Sequence, residues 1–300
     1  MTKKDSLSRK IFYIGNVIFM LLMCVVVLFP YLNILAKAFN DGNDTSRGGI
    51  TIFPRVFTLE NFATVIRNDG FWQAAGVTVS IVILGTALSL LVQFMTAYVM
   101  LNERLLGYKY LMIMYMIPRY VSGGIIATYI YLANINLLNN YWVYIIPSCF
   151  NVYNMIIIRS YLSSLPKELS ESAKVDGAND LTIAFRIIMP LAKPVLATVA
   201  LWLAVGYWNN WTTTLYYAQQ NKDIHTLQYL LMRVMKEAET IQNMIKDAQM
   251  NGLAVDFVPK VTTESVQSAQ LIITTIPIVC VYPFVQKYFI SGITLGAVKS

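Results

Sequence analysis

The feature that most constrains this chain is an uncharged apolar run from Ile11 to Leu35, echoed by several more runs of similar length before the C-terminus. About 20 apolar residues are what an α-helix needs to cross the hydrocarbon core of a bilayer, where backbone polar groups must be satisfied within the helix itself. The chain of 300 residues is 56% hydrophobic and only 13% charged, more apolar than soluble domains. An all-α integral membrane protein is therefore expected. The first run follows Lys3, Lys4, Arg9 and Lys10. It is longer than a signal-peptide core and lacks a clear small-residue cleavage site, which predicts a retained anchor.

The pattern predicts six transmembrane helices, at about 11–36, 73–101, 109–133, 142–161, 194–215 and 266–290. With residues 1–10 in the cytoplasm, the connections on that side carry Arg104, Lys109, Arg159, Lys167, Lys174, Arg186 and Lys193. The basic residues assigned outside, among them Lys37, Arg55, Lys222 and Lys260, are spread over two long loops that weigh little in the positive-inside bias. Both termini are thus predicted to be cytoplasmic, including a tail at residues 291–300. The net charge of +7 is scattered at the ends of apolar segments rather than gathered on one face, which argues against nucleic acid as a partner. Cys24, Cys149 and Cys280 are odd in number and far apart, supporting neither a disulfide framework nor a zinc site.

Between the fourth and fifth spans lies a charged, helix-forming loop at residues 163–193. Pro166 suits the first turn of a helix begun by Ser163 or Ser164. Leu165, Leu169 and Ala173 form a narrow apolar stripe, with Lys167, Glu171 and Lys174 as charged neighbours on the other side. Gly177 can take positive φ and end this helix, and Asn179 can cap a second one running through Ile187 to a stop at Pro190.

The order Glu171-Ser172-Ala173, three residues, Gly177, nine residues, Ile187-x-Met189-Pro190 resembles the EAA loop of ATP-binding-cassette importer membrane subunits. Ser172 stands where the family usually has a second alanine, and Met189 where it usually has leucine. Both changes leave a helix and its apolar face possible. The resemblance implies a type I importer permease fold, six spans with a cytoplasmic coupling helix. It further implies that Glu168, Glu171, Ser172, Ala173, Asp176, Gly177 and Ala178 dock a cytoplasmic ATPase. The predicted topology places this loop in the cytoplasm independently of the motif.

Two outer segments are long. Residues 40–70 pass through Asp41-Gly42-Asn43-Asp44 to a short helix after Thr58, whose Phe62, Val65 and Ile66 are expected to rest on the membrane surface. Residues 216–264 carry helical apolar spacing at Leu227, Leu230, Leu231, Val234 and Met235, and again after a break at Ile241, Met244, Ile245 and Ala248. In the third span, Pro118 and Gly123-Gly124 predict a kink, and Arg119 beside them is a candidate pathway residue, or an interfacial arginine.

Catalytic patterns are missing. No glycine is followed by lysine, so a phosphate-cradling G-x-x-x-x-G-K-[ST] loop is excluded, and the single histidine, His225, supports no nucleophilic triad or metal cluster. Energy for transport would have to come from a partner. The remaining chemical signal is Trp202, Tyr207, Trp208, Asn209, Asn210 and Trp211 toward the outer end of the fifth span. Aromatic faces stack on pyranose C–H groups while amides exchange hydrogen bonds with hydroxyls. The competing reading is the Trp/Tyr belt of any membrane interface, against which the paired amides Asn209 and Asn210 weigh. Tyr129, Tyr131, Asn134 and Asn136 are candidates for the same route.

Three further stretches resemble the carbohydrate-importing, malG-like and lplC-like branch of these permeases. They are Glu168 to Ala178, Trp208-Asn209-x-Trp211, and the C-terminal Gln286-Lys287-Tyr288-Phe289 with Gly292 to Lys299. The resemblance spans nearly the whole chain. It implies a non-catalytic subunit in a bacterial plasma membrane, providing half of an oligosaccharide pathway. The implied partners are a second related permease subunit, two ATPase subunits that hold the ATP and magnesium, and an extracytoplasmic solute-binding protein. The alternatives are a related permease with another cargo, such as a peptide or lipid-linked glycan, and a self-sufficient secondary transporter. The last would need carboxylates or histidines inside the spans, and none is found there.

Overall fold

The computed structural model describes residues 7–68, 70–250 and 261–296, and it is helical throughout, with no strand among the described residues. Contacts divide the chain into two compact units. One comprises Met1–Asp69 with Arg233–Ile276, the other Gly70–Met232 with Pro277–Ser300.

The first unit opens with α1, Leu7–Ala38, whose side chains are exposed along almost its whole length. So apolar a surface is stable only against lipid or other apolar helices. α2 (Gly42–Ser46) is capped by Asp41, whose Oδ1 accepts from the amides of Asn43 and Asp44. Buried Asn40 accepts from the Arg55 and Val56 amides at 2.8 and 2.9 Å, and Arg55 pairs with Asp44 at 2.9 Å. These bonds tie the loop into a knot.

α3 (Glu60–Ile66) corrects one expectation: Val65 is fully buried and the Phe62 ring lies 4.8 Å from Phe39, so these two residues pack on protein, leaving Ile66 exposed. Leu59 occupies the cap position, and Thr58 Oγ1 accepts from the Glu60 amide.

In the second unit α4, Phe71–Val99, is a single rod that buries a narrow face. The predicted third span is two helices, α5 (Tyr108–Tyr120) and α6 (Gly124–Asn134), meeting at 120°. Pro118 and the glycine pair break it far more sharply than a kink. The predicted fourth span begins as 3-10 turns at Tyr141–Tyr144 and Ile146–Ser148, then bends by 49° into α7, Val152–Ser163.

α8 is Glu168–Val175; α9 (Asp180–Thr182), a π-helical stretch Ile183–Ile188 and α10 (Met189–Leu191) then form one run. That run passes through Pro190 and turns by 82° into α11, Lys193–Trp208. Asn209 to Trp211 separate α11 from α12, Thr212–Tyr217, so the fifth span ends earlier than expected.

α13 (Leu227–Met250) and α14 (Thr263–Gly296) each contribute residues to both units. α13 has no break. Leu227, Leu230, Leu231 and Val234 are buried, while Ile241 and Met244 are exposed. α14 extends through Gly292 to Gly296, where a tail was expected, and residues 297–300 lie outside the described residues. Among the described residues, three helices are long and apolar enough to cross a membrane alone, or up to 6 spans if each bent pair counts as one.

Candidate functional site

Two places in the second unit draw together the candidate residues. The first is the loop around α8. Its helix starts at Glu168, not at Pro166, and Ser163 and Ser164 do not cap it: their hydroxyls donate back to the Ser160 and Tyr161 carbonyls of α7. Glu168 and Glu171 sit in the first turn, where carboxylates complement the exposed amides.

The C-terminal end is built to a stricter plan. Gly177 adopts φ +83°, its amide donates to the Lys174 carbonyl at 3.1 Å, and the Ala178 amide donates to Ala173 at 2.9 Å. This is a complete Schellman motif, which explains why glycine followed by a small apolar residue is needed here. Asn179 then accepts from the Thr182 amide at 2.8 Å, as expected, and starts the next helix. Lys174 pairs with Asp180 at 3.3 Å across the turn, but both are exposed, so the pair adds little.

Burial sorts this loop into two faces. Ala173 is 8% exposed and joins a core with Phe94, Ala97, Met155, Ile158 and Ile183, against which Ala178 and Leu165 also pack. Glu168, Glu171, Ser172 and Asp176 point to solvent, and Val175 is 88% exposed. The loop is thus rooted by its alanines in the cores of α4, α7 and α11, and presents an acidic surface with apolar Val175 and Leu169 on it. The adjoining π-helical stretch buries Ile183, Ala184 and Ile188 in the same core. Such stretches are rare and concentrate at functional sites.

The second place is a cavity of ≈ 400 Å³ lined by Ser148, Asn151, Asn154, Trp202, Leu203, Gly206, Tyr207 and Asn210. Trp202 and Tyr153 stack with centroids 6.3 Å apart and 25° between planes. Asn151 caps α7 through Oδ1, accepting from the Tyr153 and Asn154 amides, and its Nδ2 is left for other partners. An aromatic platform beside three amides and a hydroxyl can hold a polyhydroxylated ligand.

Of the predicted sugar cluster, Trp202, Tyr207 and Asn210 line this cavity, and Asn210 Oδ1 also accepts from the Thr213 amide at the start of α12. Asn209 faces elsewhere, accepting from Gln228 at 3.2 Å. Trp208 and Trp211 flank the break after α11 without lining the cavity. Tyr129 lies 6.4 Å from Tyr217, and Arg119 is exposed in the last turn of α5, where a cation suits the helix end. Sequence reading missed Ser148, Asn151 and Asn154. Their three-residue spacing in an otherwise apolar segment was the available signal.

Apolar helices long enough to cross a bilayer, joined to a rooted and solvent-facing charged loop, are those of a membrane-integral protein. Residues 94–295 match the family described as "Binding-protein-dependent transport system inner membrane component", and the chain belongs to that family. It is 31% identical to Protein LplC of Bacillus subtilis (strain 168), over 99% of this chain and 98% of that one. It is also 31% identical to the polygalacturonan/rhamnogalacturonan transport system permease protein YtcP of the same strain, over 94% and 96% of the two chains. Among solved structures, a chain of a bacterial ABC transporter that imports the acidic polysaccharide alginate superposes with TM-score 0.81 at 25% identity. That match covers 96% of this chain and 100% of that one. The fold is therefore that of an ABC importer permease, which sets the self-sufficient transporter aside.

Proposed function

We propose that this chain provides half of the transmembrane pathway for an oligosaccharide, in a bacterial plasma membrane with both termini cytoplasmic. It pairs with a second, related permease subunit and works with two ATPase subunits that hold ATP and magnesium, one of which docks at Glu168, Glu171, Ser172, Asp176 and Gly177. An extracytoplasmic solute-binding protein delivers the sugar. The chain itself hydrolyses nothing: closure of the ATPases moves α8, and the core around Ala173 and Ala178 passes that motion to α4, α7 and α11.

The observation that carries the carbohydrate reading is the cavity, where the stacked Trp202 and Tyr153 stand beside Asn151, Asn154 and Asn210. Sugar names borne by LplC-like relatives and by the alginate importer support it. The test is uptake in proteoliposomes holding the whole transporter and a panel of labelled oligosaccharides. Trp202→Ala and Asn154→Ala should each raise the KM for uptake about tenfold, the scale of a lost stacking or amide contact, while basal ATPase activity persists. Unchanged uptake of every oligosaccharide in both variants overturns the reading.

A further inference from the structure

Tyr207 is the partition between the cavity and α4. Tyr207 lines the cavity while only 4% exposed. Its ring lies against Gly85. A Cβ built at Gly85 would stand 2.8, 2.9 and 3.0 Å from ring atoms Cζ, Cε2 and Cε1, closer than carbon atoms tolerate. One helical turn further along α4, Ser89 Oγ and the Tyr207 hydroxyl are 2.8 Å apart. The ring is therefore seated against a bare backbone and held there by its oxygen. Beside it on α11, Gly206 has no heavy atom within 4 Å of where its own Cβ would be, so the space next to the ring is open.

We propose that Gly85 sets the free width of the cavity, and so acts as a size-determining position for the cargo without touching it. The absence of a side chain at 85 lets the ring withdraw into α4, and any larger residue there drives it toward the open space beside Gly206. The α4 side is closed to it by Ser89 and the buried face that includes Ile81. The consequence for transport rests on the carbohydrate reading above, whereas the geometric statement does not.

The experiment uses the assembled transporter in proteoliposomes, with Cys24, Cys149 and Cys280 replaced by serine and Asn154→Cys as reporter. Its two probes are N-ethylmaleimide and a maleimide carrying a trisaccharide. Gly85→Ala should slow labelling by the trisaccharide reagent about tenfold relative to N-ethylmaleimide, within the range one methyl group exerts on fit in a pocket. Adding Tyr207→Leu, which removes the displaced ring, should restore the rate to within about twofold, and Tyr207→Phe alone should leave it near the parent's, since the ring stays. If Gly85→Ala prevents assembly, Tyr207→Leu alone should still speed the larger reagent severalfold. Equal slowing of both reagents, or no recovery in the double variant, overturns the proposal and makes Gly85 a helix-packing residue only. If labelling behaves as expected but uptake of oligosaccharides, measured in the same Gly85 and Tyr207 variants with Asn154 retained, follows none of these changes, the seat stands and the carbohydrate reading fails.

Discussion

The α8 loop and the cavity are both built on α7 and α11, yet they are made in opposite ways. The loop is local: a Schellman turn at Gly177, a cap at Asn179, buried Ala173 and half-buried Ala178 occur within about a dozen residues, and its polar surface faces outward. The cavity is assembled from segments about fifty residues apart, its polar groups face inward, and its shape depends on a third helix, α4, that it does not expose. The difference teaches where damage should appear. Substitutions at the loop should break the connection to the ATPase, and substitutions at the cavity should alter which cargo passes.

The sharpest break should come at the loop. Gly177→Asp forces an L side chain into the left-handed region, at a cost of roughly 1–2 kcal/mol, and Glu171→Lys reverses an exposed charge in the first turn. Each is expected to abolish uptake and substrate-stimulated ATPase activity while the protein still inserts, measured in membranes and proteoliposomes. Ala173→Leu, overfilling the core beneath α8, should destabilise that core by about 1–3 kcal/mol and lower the unfolding temperature of the detergent-solubilised chain.

Trp208→Ala and Asn209→Ala should cost less than the cavity variants, a few-fold in uptake, because Asn209 bonds Gln228 and neither residue lines the cavity. If instead they exceed Trp202→Ala, the pathway follows the break after α11. The smallest effect concerns the knot around Asn40 and Asp44. The hydrogen bond from Asn40, aided by Arg55, holds the Asp44 carboxyl below the usual carboxylate range against the opposing effect of burial. Its stabilisation is complete above the ordinary carboxylate value and lost as pH falls through the lowered one. Hydrogen exchange at residues 40–58 should speed up on acidification through that window, and Asp44→Asn should remove the pH dependence.

These contrasts also explain what could be read without coordinates. The apolar, helical character of the chain and the Gly177 and Asn179 caps were legible because period, length and turn chemistry are local properties. The start of α8 was misplaced because the hydroxyls of Ser163 and Ser164 serve the preceding helix, a competition that a cap preference does not reveal. The third span read as one kinked helix because apolarity persists across Gly123-Gly124, while the backbone turns there by 120°. Val65 read as lipid-facing because sequence does not distinguish burial in protein from burial in a bilayer. The cavity was found only in part: Trp202 and Asn210 stood out, but Asn151, Asn154 and the Gly85 seat acquire meaning only from the packing of α4, α7 and α11.

The division of labour between the two regions is tested most directly by measuring basal and sugar-stimulated ATPase activity, side by side, in complete transporters carrying either Glu171→Lys or Trp202→Ala. The account predicts that Glu171→Lys removes stimulation at every sugar concentration, whereas Trp202→Ala retains basal activity and recovers stimulation when sugar is raised about tenfold. Normal stimulation in Glu171→Lys, with uptake intact, would contradict it.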